Sequence, residues 1–295
     1  MTPAADAVDA SAIVHPAPLY PLLYEPLVRR ALEEDLGRAG DLTSDAILPL
    51  DLVAEARVVA RAAGRVAGLA VALSAFRLLD STIGIEPSAV DGEDVEAGAV
   101  LATVRGSARS ILSAERTALN ILGRLCGIAT ATRDLQALVA PHGANIVCTR
   151  KTTPGLRTLE KYAIRCGGGR NHRFGLDDAV LIKDNHVALA GGIRPAVERA
   201  RRAVGHLVKI EVEVDSLDQL REALDLGADV VLLDNMPLDT LREAVAIAKG
   251  RAITEASGGI NPGTAAAIAA TGVDLLSMGW LTHSAPSLDV ALDVG

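Results

Sequence analysis

The chain predicts an α/β fold in two parts: an incomplete or atypical (β/α) barrel over residues 128–295, preceded by an α+β N-terminal domain over residues 1–127. Three observations carry this. From about residue 145 onward, short runs rich in Val, Ile and Leu alternate with segments of helical period, the pattern of parallel strands covered by helices. Only six such runs are clear, fewer than the eight of a closed barrel, so an open doubly wound sheet stands as the alternative. Before residue 127, short glycine-cornered strands mix with helices and do not alternate regularly. A length of 295 residues with 49% apolar side chains suits two modest domains, or one barrel with an addition.

Taken in order, residues up to about 18 are rich in Ala and Pro and predict a loose lead-in. Leu23, Leu27, Val28, Ala31 and Leu32 recur at helical spacing, with Gly37 as the stop. Gly40-Asp41-Leu42-Thr43-Ser44 predicts a polar turn. Residues 55–60 alternate as a strand, Gly64 and Gly68 mark turns, and residues 71–79 read as a helix. Residues 91–106 predict short strands with glycine corners, a hammerhead-like pattern similar to one half of a biotinyl- or lipoyl-type domain. No lysine stands at a hairpin tip there, so no prosthetic group is implied. An amphipathic helix follows over 113–126 with Ser113 as its N-cap, and after Gly127 a second helix over about 130–140.

In the barrel region strands are predicted at 145–149, 179–183, 207–214, 229–233, 252–255 and 273–278, and helices at 156–165, 194–204, 217–226, 238–249 and 264–270. The last residues, about 284–295, are candidates for packing back on the N-terminal domain.

Composition excludes several classes. A formal net charge of -8 argues against a general nucleic-acid backbone binder, and 2% aromatics argue against base-stacking platforms. Cys126, Cys148 and Cys166 have no metal-ligand spacing and read as small buried thiols. The start of the chain lacks an export signal and no apolar run approaches a membrane span, so a soluble cytoplasmic protein is expected.

The informative feature is where the polar residues fall. The predicted strand ends carry Arg150 and Lys151; Lys183, Asp184 and Asn185; Glu213 and Asp215; Asp234 and Asn235; Ser257, Gly258 and Gly259; and Met278 and Gly279. Active sites of such barrels lie at that face, so these groups are expected to converge on one mouth. Within residues 149–186 cations gather against the acidic background, which suggests an anionic ligand. Arg157, Lys161 and Arg165 are spaced as an exposed helix face, with Lys161 alternatively turned toward a neighbouring subunit. The run Gly167-Gly168-Gly169 is expected to let the loop carrying His172 and Arg173 fold over a ligand. Ser257, Gly258 and Gly259 at a helix start, with Gly279 one strand later, suggest a phosphate site, the alternative being a pair of tight turns. Glu213 and Asp234 suit ribose hydroxyls, Mg²⁺ held through water, or structural pairing with the lysines.

Together with Pro154-Gly155-Leu156-Arg157, Asn171-His172-Arg173, Leu181-Ile182-Lys183-Asp184-Asn185-His186, Ser113-Ala114-Glu115-Arg116, Glu211-Val212-Glu213, Leu233-Asp234-Asn235 and Ser257-Gly258-Gly259-Ile260, the motif Thr149-Arg150-Lys151-Thr152 resembles the quinolinate phosphoribosyltransferases, a type II phosphoribosyltransferase family. The resemblance covers nearly the whole chain after about residue 20. It implies transfer of phosphoribose from phosphoribosyl pyrophosphate to quinolinate, with decarboxylation to nicotinate mononucleotide, and Mg²⁺ as cofactor. It further implies that Arg150, His172, Arg173 and Lys183 surround quinolinate, with Arg116 reaching in from the partner of a homodimer; higher oligomers stay open. Lys151, Glu213 and Asp234 are implied around phosphoribosyl pyrophosphate and its metal, and Ser257, Gly258, Gly259 and Gly279 around the 5′-phosphate. In this reading Lys151, Lys183, Glu213 and Asp234 carry the catalysis. The rivals are a molybdenum-associated paralogue with another acceptor, a Schiff-base lyase using Lys183, and a non-catalytic sensor of phosphorylated metabolites.

Overall fold

The computed structural model describes residues 16–295, so most of the predicted lead-in lies outside the described residues. Helix α1 (Glu25–Leu36) has a proline in its first turn, buries Val28 and Leu32, and stops at Gly37. The stretch predicted as a polar turn is instead the start of a helix, α2 (Leu42–Ile47). Asp41 caps it by accepting from the N–H groups of Thr43 and Ser44. Strands β1 (Val53–Ala60) and β5 (Val100–Ser107) pair antiparallel, with β3 (Gly84–Pro87) on the far edge of β5. The short strands β2 (Gly64–Arg65) and β4 (Asp94–Val95) form a separate ribbon, and α3 (Leu69–Leu79) buries most of its length against the next helix.

That next helix is the spine of the molecule. Where the sequence predicts two helices, there is one, α4 (Ala108–Val139), of 32 residues and about 48 Å. Its N-cap is Ser107, not Ser113, whose hydroxyl instead donates to Asp41. Gly127 does not break the helix, because its role is close approach: a Cβ there would sit 2.0 Å from the Pro286 carbonyl oxygen. Leu288 N–H donates to Gly123 O where the same segment crosses the helix. The chain then ends in β12 (Val290–Val294), which pairs with β1 and completes the sheet order β12-β1-β5-β3. One side of α4 packs on α1 and α3, the other on the barrel. Although long, α4 is polar enough that no helix among the described residues could cross a membrane.

The second region alternates as its sequence pattern requires. Its elements are β6 (Asn145–Val147), α5 (Arg157–Cys166), β7 (Val180–Ile182), α6 (Asp184–Ala190), α7 (Ile193–Ala203), β8 (Ile210–Val214), α8 (Leu217–Asp225), β9 (Val230–Asp234), α9 (Leu238–Ala248), β10 (Ile253–Ser257), α10 (Ala265–Ala269), β11 (Leu275–Ser277) and α11 (Trp280–His283). The six strands are parallel, in the order β6-β11-β10-β9-β8-β7. This is the cyclic order of a barrel, left open between β6 and β7. Arg170 stands in the gap, exchanging backbone bonds with Ile146 and Cys148 of the β6 run. The fold is thus an incomplete (β/α) barrel behind an α+β domain.

Candidate active site

Side chains alternate along a strand, so residues two apart share a face. In register across the sheet, Leu181 on β7 lies beside Glu211 on β8, Glu213 beside Leu232 on β9, Leu232 beside Glu255 on β10, and Asp234 beside Ser257. One step of two along each strand goes from Leu181 to Lys183, Leu232 to Asp234, Glu255 to Ser257 and Ser277 to Gly279. The inner row therefore turns polar at the C-terminal ends, where such barrels carry their chemistry. A cavity of about 350 Å³ opens there, lined by Thr149, Arg150, Lys151, His172, Arg173, Leu181, Lys183, Leu232, Glu255, Ser257 and Ser277.

The cations of this cavity repel one another. Burial and the neighbouring Arg150 charge hold the Arg173 guanidinium below its ordinary pKa. Arg150 Nε is buried and has no hydrogen-bond partner among the described residues. An anion between the two arginines would relieve both conditions.

Beneath them His172, expected at the acceptor, meets two carboxylates to which sequence reasoning gave no role, Glu211 and Glu255. His172 Nε2 is 2.9 Å from Glu211 Oε2 and 3.6 Å from Glu255 Oε1. Burial opposes a proton on His172, but the hydrogen bond to Glu211 and the two carboxylate charges outweigh it and raise its pKa. Burial, reinforced by the Glu211 charge, pushes Glu255 up to about 7. The ring's other nitrogen, Nδ1, accepts the Arg173 backbone N–H at 2.7 Å. A nitrogen that accepts carries no proton, so in the neutral ring these bonds place the proton on Nε2. His172 lines the cavity with both ring nitrogens committed to the protein. The sequence signal was available: a carboxylate inside an apolar strand, on the inward phase of the alternation.

Helix α5 is not the solvated face its cations predict. Lys161 is 1% exposed and Glu160 fully buried. Lys161 Nζ donates to Cys148 Sγ at 3.0 Å and to the carbonyls of His172 and Arg173 at 2.9 and 3.0 Å. Arg157 donates to Thr152 Oγ1 and Phe174 O; only Arg165 is exposed. Glu160 pairs with Arg124 of α4 and accepts from Thr153 N–H and Oγ1–H. Arg124 also donates to the carbonyls of Thr282 and Ala285, while the Thr282 hydroxyl holds Lys151 O. The glycine run is likewise structural rather than a hinge. A Cβ on Gly167 would lie 2.5 Å from Ala129 O, and one on Gly169 would lie 2.7 Å from Thr132 Cγ2, so both mark close packing on α4. Cys126, Cys148 and Cys166 are buried and unpaired.

Glu213 and Asp234 lie beside the cavity, not in its lining, in a recess shared with Asp184, Asp215 and Gln219. Lys183, half exposed, bridges the two spaces through a 2.8 Å ion pair with Glu213. Asp234 accepts from the Asn235 amide. Asn235 itself holds a left-handed φ of 51°. Its side chain fills the space over Gly258, where a Cβ would lie 2.1 Å from Asn235 Oδ1. Gly258 and Gly259 are both left-handed. The expected helix dipole behind them is missing, since α10 starts only at Ala265 and runs five residues; the turn's own backbone must supply any anion contacts. Gly279 leaves room for Lys151, whose Cδ would be 2.7 Å from a Cβ there. Among the described residues, His172, Glu211 and Glu255 are the one set of three side chains converging as metal ligands would; Glu213 and Asp234 do not form one. Arg116, with its side chain 64% exposed on α4, does not line the cavity of its own chain.

An open parallel barrel whose mouth sets clustered cations against a carboxylate recess defines an α/β-barrel enzyme acting on anions. Residues 41–126 match the family described as quinolinate phosphoribosyl transferase, N-terminal domain, and residues 128–293 match its C-terminal domain. The chain belongs to the quinolinate phosphoribosyl transferase family. It is 46% identical over 273 residues to a probable nicotinate-nucleotide pyrophosphorylase (carboxylating) of Bacillus subtilis, covering 92% of this chain and 94% of that one. A nicotinate-nucleotide pyrophosphorylase of Mycobacterium leprae is 45% identical over 275 residues, 90% of this chain and 95% of that one. The solved nicotinate-nucleotide pyrophosphorylase of Francisella tularensis superposes with a TM-score of 0.90 at 40% identity, covering 94% of this chain and 98% of that one.

Proposed function

We propose that this protein transfers the phosphoribosyl group of phosphoribosyl pyrophosphate to quinolinate, with decarboxylation, giving nicotinate mononucleotide, pyrophosphate and CO₂ in NAD synthesis. The observation that carries it is the cavity walled by Arg150, His172, Arg173 and Lys183, which opens beside the recess of Glu213 and Asp234. The arginines and Lys183 hold the two carboxylates, His172 shapes the wall between them, and the ring nitrogen is left facing the sugar. That nitrogen's lone pair attacks C1 of the ribose as the bond to pyrophosphate breaks. Glu213 and Asp234 face the sugar as it gains positive character, and Lys151 and Lys183 face the departing pyrophosphate, so the acceleration is positioning plus electrostatics. The cationic ring then accepts the electron pair of the breaking bond to the adjacent carboxylate. CO₂ leaves, and a proton from solvent replaces it. Ser257, Gly258, Gly259 and Gly279 take the 5′-phosphate.

Carboxylate oxygens are the right donors for Mg²⁺, and two that do not converge suit an ion that keeps several waters. Glu213 and Asp234 would hold it through water, and when bound it neutralises charge on the pyrophosphate. The acceptor pocket is completed by Arg116 of a second copy, so the working unit is a homodimer, in the cytoplasm. Lys183 Nζ is engaged by Glu213 at 2.8 Å and stands half exposed rather than in an apolar pocket, which disfavours the Schiff-base alternative. The description of the matched family names quinolinate, which favours it over the acceptor of a molybdenum-associated paralogue.

The test is to incubate the protein with quinolinate, phosphoribosyl pyrophosphate and Mg²⁺ and assay nicotinate mononucleotide and CO₂. Product is expected, and its absence sinks the proposal. Arg116→Ala and Arg150→Ala, each nearly inactive alone, are expected to recover part of the activity when mixed and reassociated. No recovery would contradict a shared site.

A further inference from the structure

The face of α5 that carries Arg157 and Lys161 grips one short segment, residues 172–174. Lys161 is the centre of that grip. A buried ammonium is costly unless its donors are satisfied, and here all three are, by a thiol and two carbonyls, with no carboxylate among them. The thiol is itself anchored, since Cys148 donates to Asn171 Oδ1.

The consequence follows from the planarity of the peptide bond. A trans peptide sends its C=O and the next N–H in opposite directions. With His172 O fixed on Lys161, the Arg173 N–H must point away from it, and it meets His172 Nδ1 at 2.7 Å. With Arg173 O also fixed on Lys161, the Phe174 N–H points away in turn and meets Asp178 Oδ2 at 2.6 Å. Arg157 adds a contact to Phe174 O, and Gly175 N–H donates to the other oxygen of Asp178. Nδ1 is thereby occupied as an acceptor, the proton sits on Nε2, and Nε2–H is directed to Glu211. The same two peptides launch the Arg173 side chain into the cavity.

We infer that Lys161 is a positioning residue for acceptor recognition, orienting the peptides of His172 and Arg173 and through them the ring tautomer of His172 and the aim of the Arg173 guanidinium. The inference rests on the proposed function for its substrate, though not for its geometry. Lys161 touches no reacting atom. Its effect belongs to quinolinate and not to phosphoribosyl pyrophosphate, whose recess is lined from α6, β8, α8 and β9.

The experiment has two arms. In the first, Lys161→Met removes the charge and all three donors at similar volume, and Lys161→Gln keeps an amide that can still serve two acceptors. The quinolinate KM is expected to rise about 10- to 100-fold in the Met variant and less in the Gln variant, with the phosphoribosyl pyrophosphate KM within about twofold of the parent. Equal rises in both KM values, or a fall in kcat alone, would overturn the inference. If the Met variant does not fold, the Gln variant carries this arm. The second arm needs no turnover: ¹⁵N-histidine NMR of the parent and of the Lys161 variants, at a pH where the His172 ring is neutral, with the His172 signal assigned by its loss in His172→Asn. The Nε2–H tautomer is expected in the parent and a mixture of tautomers in the Lys161→Met variant; an Nδ1–H tautomer in the parent, or the same pure Nε2–H tautomer in both proteins, overturns the inference. A protein that makes no nicotinate mononucleotide would refute the proposed function, while the NMR result still decides the role of Lys161.

Discussion

The two walls of the barrel mouth are built in opposite ways. The cationic wall stands on buried, multiply bonded groups: Lys161 under His172 and Arg173, Glu160 under Thr153, and Thr282 under Lys151. At the acidic wall, among the described residues, Glu213 meets Lys183 and Asp234 meets its own neighbour Asn235. There the glycine turn rests on left-handed backbone, not on a helix of any length. The difference matches the two ligands proposed. A flat, rigid dicarboxylate rewards a wall whose charges are already aimed, because no ordering is left to be done on binding. A flexible pyrophosphate that brings a hydrated metal can complete a looser wall itself.

The comparison breaks most severely at Glu160. Glu160→Gln leaves the Arg124 guanidinium without its buried carboxylate, and losing one partner of a buried pair costs about 3–5 kcal/mol. Urea unfolding is expected to show a loss near that size, together with weaker quinolinate binding, since residues 151–153 lose their anchor. A change under about 1 kcal/mol would mean the cationic wall does not depend on this pair. A smaller and more selective effect is expected on the other side. Gly258→Ala places a methyl against the Asn235 amide on left-handed backbone, and is expected to raise the phosphoribosyl pyrophosphate KM about tenfold while leaving quinolinate binding unchanged. Steady-state kinetics with each substrate varied in turn checks it; an unchanged phosphoribosyl pyrophosphate KM would remove the turn from the phosphate site.

Much of this was legible in the chain because it is local. Strand runs, their alternation and the polar residues at their ends place Arg150, Lys183, Glu213, Asp234 and Ser257 at one mouth without any knowledge of contacts. What was illegible is what depends on distant segments. Gly127 looks like a helix break until Pro286 is laid across it. Lys161 looks solvated because a lysine four residues from an arginine on a helix usually is, and its acceptors arrive only when residues 172–173 fold beneath β6 and α5. Gly167 and Gly169 suggest a hinge until α4 is packed against them. Glu211 and Glu255 carried a readable signal, an acid on the inward phase of an apolar strand, but charges at the strand tips drew the reading away from those inside. Arg116 stands exposed on α4 and outside the cavity lining, and its proposed role in a second copy is one that no periodicity within one chain encodes.

The most direct measurement of the central claim is calorimetric titration of the unmodified protein with quinolinate, without phosphoribosyl pyrophosphate and without Mg²⁺. A cationic wall that is ready before the other ligand arrives predicts saturable binding of quinolinate alone, and phosphoribosyl pyrophosphate binding that strengthens when Mg²⁺ is added. Quinolinate that binds only after phosphoribosyl pyrophosphate and Mg²⁺ are in place would show that the cationic wall is not preorganised, and would contradict the account.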